Sequence, residues 1–228
     1  MRFDAVIFDI DNVLIDTRAS YTDCIRKTVE TYFEQILNFQ PSRTPLLTRA
    51  DVEMFKSLGG FNDDWDTCCV LLLYFLSLEI KKRTLNELRK RKDILKLVRT
   101  IKTRPLGIKG LQRWLRHSEA PFTRHPERSE GSTRFFGLRP QNDRRRGLRM
   151  TTVSFCKIVD LFQQFYLGEF VWNEKPLIPK SALKQLKRLG LKIGIVTGRS
   201  REEAEFALRR FQMDSFIDAT VTTDETPR

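Results

Sequence analysis

Histidine is scarce in this chain, cysteine is nearly as scarce, and neither is spaced for metal chemistry. There are two histidines and four cysteines among 228 residues. Cys24, Cys68, Cys69 and Cys156 show no C-x-x-C spacing and have no neighbouring histidine. That excludes a zinc finger or ribbon and leaves reduced, mostly buried thiols as the expected state. A long hydrophobic run is missing too. The longest, Val70 to Leu78, falls well short of the roughly 18 to 20 residues that cross a bilayer. Met1-Arg2-Phe3-Asp4 leads into a short apolar run broken at Asp9, so no secretory leader is expected. Together these absences point to a cytoplasmic protein with no membrane partner. A hydrophobic content of 40% excludes a disordered or fibrous chain and allows one α/β core with an accessory domain.

What the chain has in excess is positive charge, +12 overall, and its location matters more than its sign. Lys81 to Arg149 holds 22 Lys and Arg against 6 Asp and Glu, so the remainder is mildly acidic. Within it, residues 116–149 contain nine arginines, no lysine, three prolines and both histidines, His117 and His125. No helical or strand period runs through them. The segment echoes itself, as in Arg116-His117-Ser118-Glu119 and Arg124-His125-Pro126-Glu127. The run His125 to Ser132, with Leu148-Arg149-Met150-Thr151, resembles the translation of an interspersed palindromic repeat of bacterial genomes. An insert of that origin is expected to be disordered, and its histidines are poor candidates for catalysis. The other reading is an arginine-rich arm with Phe122, Phe135 and Phe136 interleaved for base stacking. Nucleic acid is not the expected partner, because charge runs are usually solvated faces.

The most informative residues stand at the other end. Ala5-Val6-Ile7-Phe8 reads as a buried strand, within a strand spanning 4–10, and it delivers Asp9-Ile10-Asp11-Asn12-Val13 at its tip. Alternation lets Asp9 and Asp11 share one crevice. Two ionised carboxylates that close repel, which invites a cation such as Mg²⁺. The plainer reading is an Asp-rich loop capping the next helix.

Helical periodicity covers Tyr21 to Leu37, Arg49 to Leu58, Asp66 to Arg83, Leu85 to Ile101 and Val153 to Leu167. From Pro179 the pattern changes. A helix over 179–189 with Gly190 as its C-cap leads to a second buried strand, 191–196, ending in Thr197-Gly198-Arg199-Ser200. Ser200 and Glu203 form a capping box for the helix through Phe211. A third strand, 217–222, follows. Strand, helix and strand in that order make a right-handed parallel unit whose ligands bind at the carboxyl ends of the strands.

Asp9-x-Asp11-Asn12-Val13-Leu14, Thr197-Gly198-Arg199, a helical insertion after the first motif and Thr222-Thr223-Asp224 together resemble the haloacid dehalogenase-like hydrolases with a helical cap. Gly59 to Asp66 resembles the cap of a phosphoglycolate-phosphatase-like branch. The resemblance implies an α/β fold: a Rossmann-like parallel sheet formed by residues 1–17 and 173–228, with a helical cap over 18–172 inserted after the first strand.

It also implies a chemistry. Asp9 is the nucleophile that forms an aspartyl-phosphate, and Asp11 protonates the leaving oxygen and then deprotonates water. Thr197 and the Gly198 N–H hold phosphoryl oxygens beside a helix N-terminus. Mg²⁺ is bound through Asp9 and the Asp11 carbonyl, and the substrate is a small phosphorylated metabolite. Asn12 stands where many relatives have Gly, a mild departure because Asn tolerates left-handed backbone.

The family also uses a Lys after the third strand and an acidic pair after a fourth. Neither occurs before Thr226-Pro227-Arg228, so a truncated chain with impaired turnover is expected. The alternatives are a non-catalytic, phosphate-binding remnant or, within the enzyme class, a phosphomutase. In the cap, Asn62 and Trp65 either select the substrate over the crevice or serve as a helix cap and a cap-core residue. The residues do not fix the substrate or the oligomeric state.

Overall fold

The computed structural model describes residues 3–59, 64–103, 109 and 153–225. Asn62, the segment 116–149 and residues 226–228 lie outside them. The chain divides into two compact units, Met1–Ser20 with Val171–Arg228, and Tyr21–Phe170.

The first unit is built on three parallel strands in the order β1 (Ala5–Phe8), β4 (Lys192–Val196), β5 (Ala219–Val221). Phe8 pairs with Ile195, and Val196 with Val221, so the three carboxyl ends lie side by side. Alternation along β4 sends Ile193 and Ile195 into a buried cluster with Leu183 of α7 (Lys180–Arg188) and Ala204, Ala207 and Leu208 of α8 (Arg201–Arg210). The opposite face carries Ile7 (68% exposed), Val196 (51%) and Val221 (42%). Pro179 caps α7 in extended backbone, and Gly190 ends the following turn at φ 78°, in the left-handed region that glycine enters without strain. Ser200 caps α8, its Oγ accepting from the Glu203 amide. The first strand is shorter than the 4–10 read from the sequence. After Phe8 the chain turns, because Ile10 O accepts the amides of Leu14 (3.0 Å) and Ile15 (2.9 Å). Asn12 sits at φ 57° in that turn. A small antiparallel pair, β2 (Ile15–Asp16) with β3 (Lys175–Pro176), closes it. Periodicity could not reveal two-residue strands.

The second unit is helical. Helix α1 (Arg18–Thr31) starts three residues before the periodic stretch and runs into a π-helical turn, Tyr32–Ile36. Then come α2 (Arg49–Lys56), α3 (Asp64–Leu76), α4 (Leu85–Arg91), α5 (Ile94–Thr103) and α6 (Phe155–Gly168). The single helix expected over 85–101 is two. Lys92 is extended (ψ 138°), and Asp93 restarts the helix by accepting from the Lys96 amide at 2.8 Å. Helix α3 is buried from Thr67 to Phe75, which fits the apolar run that the sequence shows there. Cys24, Cys68 and Cys69 are buried free thiols, while Cys156 is exposed. Burial pushes the Cys69 thiol up to about 12. Among the described residues no helix is long and apolar enough to cross a membrane.

Candidate active site

The strand ends of the first unit carry the residues singled out above. Asp9 follows β1 and is exposed, its Oδ1 accepting from the Ile10 amide at 2.6 Å. Asp11 lies in the turn, so its place is set by the Ile10 carbonyl knot and by left-handed Asn12 rather than by strand alternation. Its side chain is 28% exposed. Thr197, just past β4, is buried. Its amide donates to Val221 O at 3.1 Å, and its Oγ1 accepts from the Arg199 amide at 3.3 Å. A hydroxyl has one donor and two acceptor sites, so this bond leaves its proton for another acceptor. Gly198 is exposed, and a Cβ built on it meets nothing within 4 Å. The space above its backbone is open.

Two residues that periodicity did not single out complete the arrangement. Arg199 is 3% exposed and sends Nε and Nη2 to one oxygen of Asp11, Oδ1, at 2.9 and 2.7 Å. Its Nη2 also donates to Glu174 Oε1 at 2.9 Å, and the Glu174 side chain is fully buried. Ser20 Oγ lies 3.4 Å from the same Glu174 oxygen. Asp11 and Glu174 are 163 residues apart and meet through one guanidinium. Nearby, Arg18 bonds Asp16 through its guanidinium and its amide, holding that carboxyl down at about 2.

Trp65 is half-buried on α3 of the second unit. Asn62 lies outside the described residues. The structure therefore brings Asp11, Thr197 and Arg199 into one hydrogen-bonded set, with Asp9 two residues from it along the chain.

Over residues 3–228 the sequence matches the haloacid dehalogenase-like hydrolase family. The chain belongs to that family. Among solved structures this hydrolase is similar to phosphatase Tt82 from Thermococcus thioreducens, at 22% identity and a TM-score of 0.56, over 97% of this chain and 73% of that one. A structural-genomics target is similar at 16% identity and a TM-score of 0.57, over 97% of this chain and 70% of its own. A predicted phosphoglycolate phosphatase from Haemophilus somnus 129PT aligns at 14% identity and a TM-score of 0.49, over 99% of this chain and 65% of that one. At these identities the first two likenesses speak to fold. No curated protein matches the chain.

Haloacid dehalogenase-like hydrolases generally use Mg²⁺. Among the described residues, no group of three or more His, Cys, Asp and Glu side chains is arranged to hold a metal ion. One Asp11 oxygen is, moreover, already engaged by Arg199. Mg²⁺ favours near-octahedral oxygen donors and usually keeps several waters. Asp9 and the Asp11 carbonyl supply at most two protein donors, which does not amount to a complete site.

Proposed function

We propose that this hydrolase is a phosphatase acting on a small phosphomonoester, with residues 1–17 and 173–228 as its catalytic core and 18–172 as its cap. The observation that supports this best is the parallel register of β1 with β4 in a chain of this family. It brings the end of β1, which Asp9 follows, next to the end of β4, which Thr197 and Gly198 follow, and the Arg199 fork ties Asp11 to the same strand ends, where α/β folds bind ligands.

In this reading an Asp9 carboxylate oxygen attacks phosphorus, the bond from phosphorus to the leaving alkoxide breaks, and Asp11 gives that alkoxide its proton. Water then attacks the phosphorus of the aspartyl-phosphate and passes a proton to Asp11, and the bond from phosphorus to the Asp9 oxygen breaks. Inorganic phosphate leaves, and both carboxyl groups return to their starting states. The Thr197 hydroxyl and the Gly198 N–H hold phosphoryl oxygens while negative charge develops on them. No step is routed through a metal, because the described donors do not complete a site for one. The same shortage of donors implies that any Mg²⁺ requirement is met only at millimolar concentration.

The test is turnover of p-nitrophenyl phosphate by the 228-residue chain over 0–20 mM Mg²⁺, beside Asp9→Asn. Turnover that disappears in Asp9→Asn supports the reading, whatever its dependence on Mg²⁺. Turnover unchanged by Asp9→Asn, or none at any Mg²⁺ concentration, defeats it and leaves the phosphate-binding remnant.

A further inference from the structure

We infer that Arg199 is a positioning residue for Asp11, and that Glu174 is the group that holds Arg199 to that task. The inference rests on the reading of Asp11 as the proton carrier.

The chemistry of Arg199 excludes a more direct role. A guanidinium does not give up its proton in a protein, so it cannot be the acid or the base. Its side chain is 1% exposed, so it is not presented to a ligand from solvent. What it does present is a rigid fork. Both arms, Nε at 2.9 Å and Nη2 at 2.7 Å, converge on Oδ1 of Asp11. Two donors from one rigid plane onto one oxygen hold that oxygen in place. Among the described residues no hydrogen bond reaches Asp11 Oδ2, which is thereby left to carry the proton.

The fork is itself anchored on several sides. Glu174 Oε1 accepts from Nη2 at 2.9 Å from a fully buried position. The Arg199 amide donates to Thr197 Oγ1, and its carbonyl accepts from the Thr223 amide at 3.1 Å. The residue that would hold a phosphoryl oxygen and the residue that would move the proton are thus joined through one arginine. Displacing a catalytic group by about 1 Å can cost ~10²-fold in rate. Lysine keeps the charge of arginine but offers a single point contact in place of the fork, so Arg199→Lys separates placement from charge.

The experiment measures kcat and KM of the chain, Arg199→Lys and Glu174→Gln on p-nitrophenyl phosphate. Urea unfolding of Arg199→Lys, Asp11→Asn and the double variant accompanies it. The expected result is a kcat lower by ~10- to 100-fold in Arg199→Lys and less in Glu174→Gln, with KM within threefold. The unfolding constants should show at least ~5-fold coupling between positions 199 and 11. An Arg199→Lys kcat within twofold of the parent, a fall carried by KM, or coupling below twofold overturns the inference. Should the parent chain show no turnover that Asp9→Asn abolishes, the functional reading has failed. The coupling then decides the arrangement alone: at fivefold or more Arg199 holds Asp11, and below twofold it does not.

Discussion

Removing Arg199 should destabilise the first unit far more than removing both members of its buried pair. The Arg199 and Glu174 side chains are 1% and 0% exposed. Deleting one partner of an ion pair taken that far out of water typically costs ~3–5 kcal/mol, because the remaining charge loses its counterion. Arg199→Met takes the guanidinium away from the buried Glu174 carboxylate, so its cost should fall in that range. Glu174→Leu leaves Arg199 with Asp11, which is 28% exposed and partly solvated. Its cost should be nearer ~1–3 kcal/mol, the scale of one hydrogen bond to a charged group. Combining the two removes both buried ions and should bring stability back by ~2 kcal/mol or more relative to Arg199→Met. For a chain of this length 1 kcal/mol moves the melting temperature by ~2–4 °C, so Arg199→Met should melt ~6–20 °C lower. Urea unfolding at pH 7, followed by circular dichroism, measures all four proteins. Additive penalties in the double variant would refute the reasoning, as would Arg199→Met lying within ~1 kcal/mol of the parent.

Gly198→Ala should leave the melting temperature unchanged or slightly raised, because a Cβ there meets nothing within 4 Å and alanine narrows the unfolded ensemble. The same methyl would intrude on a phosphoryl group bound to the Gly198 amide, so KM for p-nitrophenyl phosphate should rise ~10-fold, the worth of one hydrogen bond; an unchanged KM counts against that contact. Asp218 is held well below the usual carboxylate range by a hydrogen bond from Lys187 and another from the Ile193 amide. A carboxyl depressed in the folded state adds stability that is present above its unfolded value near ~4 and drains as pH falls below that. The gap in urea midpoint between the parent and Asp218→Asn should therefore shrink from pH 7 to pH 3, and a gap that stays constant rejects the assignment. On the two faces of one sheet, Ile195→Ala should cost ~2–5 kcal/mol and Ile7→Ala under ~1 kcal/mol, since Ile195 is 1% and Ile7 68% exposed. Equal costs in thermal melts would mean that the exposed face is covered in solution.

The sequence made the parallel unit legible because each of its signals is local. The apolar runs at Ala5–Phe8 and Ile193–Val196, Gly190 after α7 and Ser200 before α8 all act within a few residues of themselves. Asn12 was legible for the same reason: a residue tolerant of left-handed backbone stands where the turn requires φ 57°. What escaped is non-local. Arg199 was visible as the third residue of a motif, but nothing near it in sequence says that it pairs with Asp11, 188 positions earlier. Glu174 gave no signal at all, since an acidic residue before Lys175-Pro176 reads as a solvated linker until its burial is known. The break at Lys92-Asp93 was lost because charged residues fit the exposed face of a helix as readily as a junction.

The charges around Asp11 are graded by depth, and depth decides what each pairing can do. Arg18 and Asp16 pair at 2.7 Å, but Arg18 is 74% exposed. Water screens such a pair to ~0–1 kcal/mol, however far the Asp16 titration moves. Arg199 and Glu174 pair at 2.9 Å with almost no exposure, where the effective dielectric is lower and the same separation carries several times the energy. A carboxylate that must move a proton cannot itself be buried so deeply, or it would lose access to substrate and water. In the proposed reading Asp11, partly exposed, meets both demands by leaning on an arginine that is buried in its place. In that reading the deep pair supplies the rigidity, and the shallow carboxylate keeps one oxygen for chemistry.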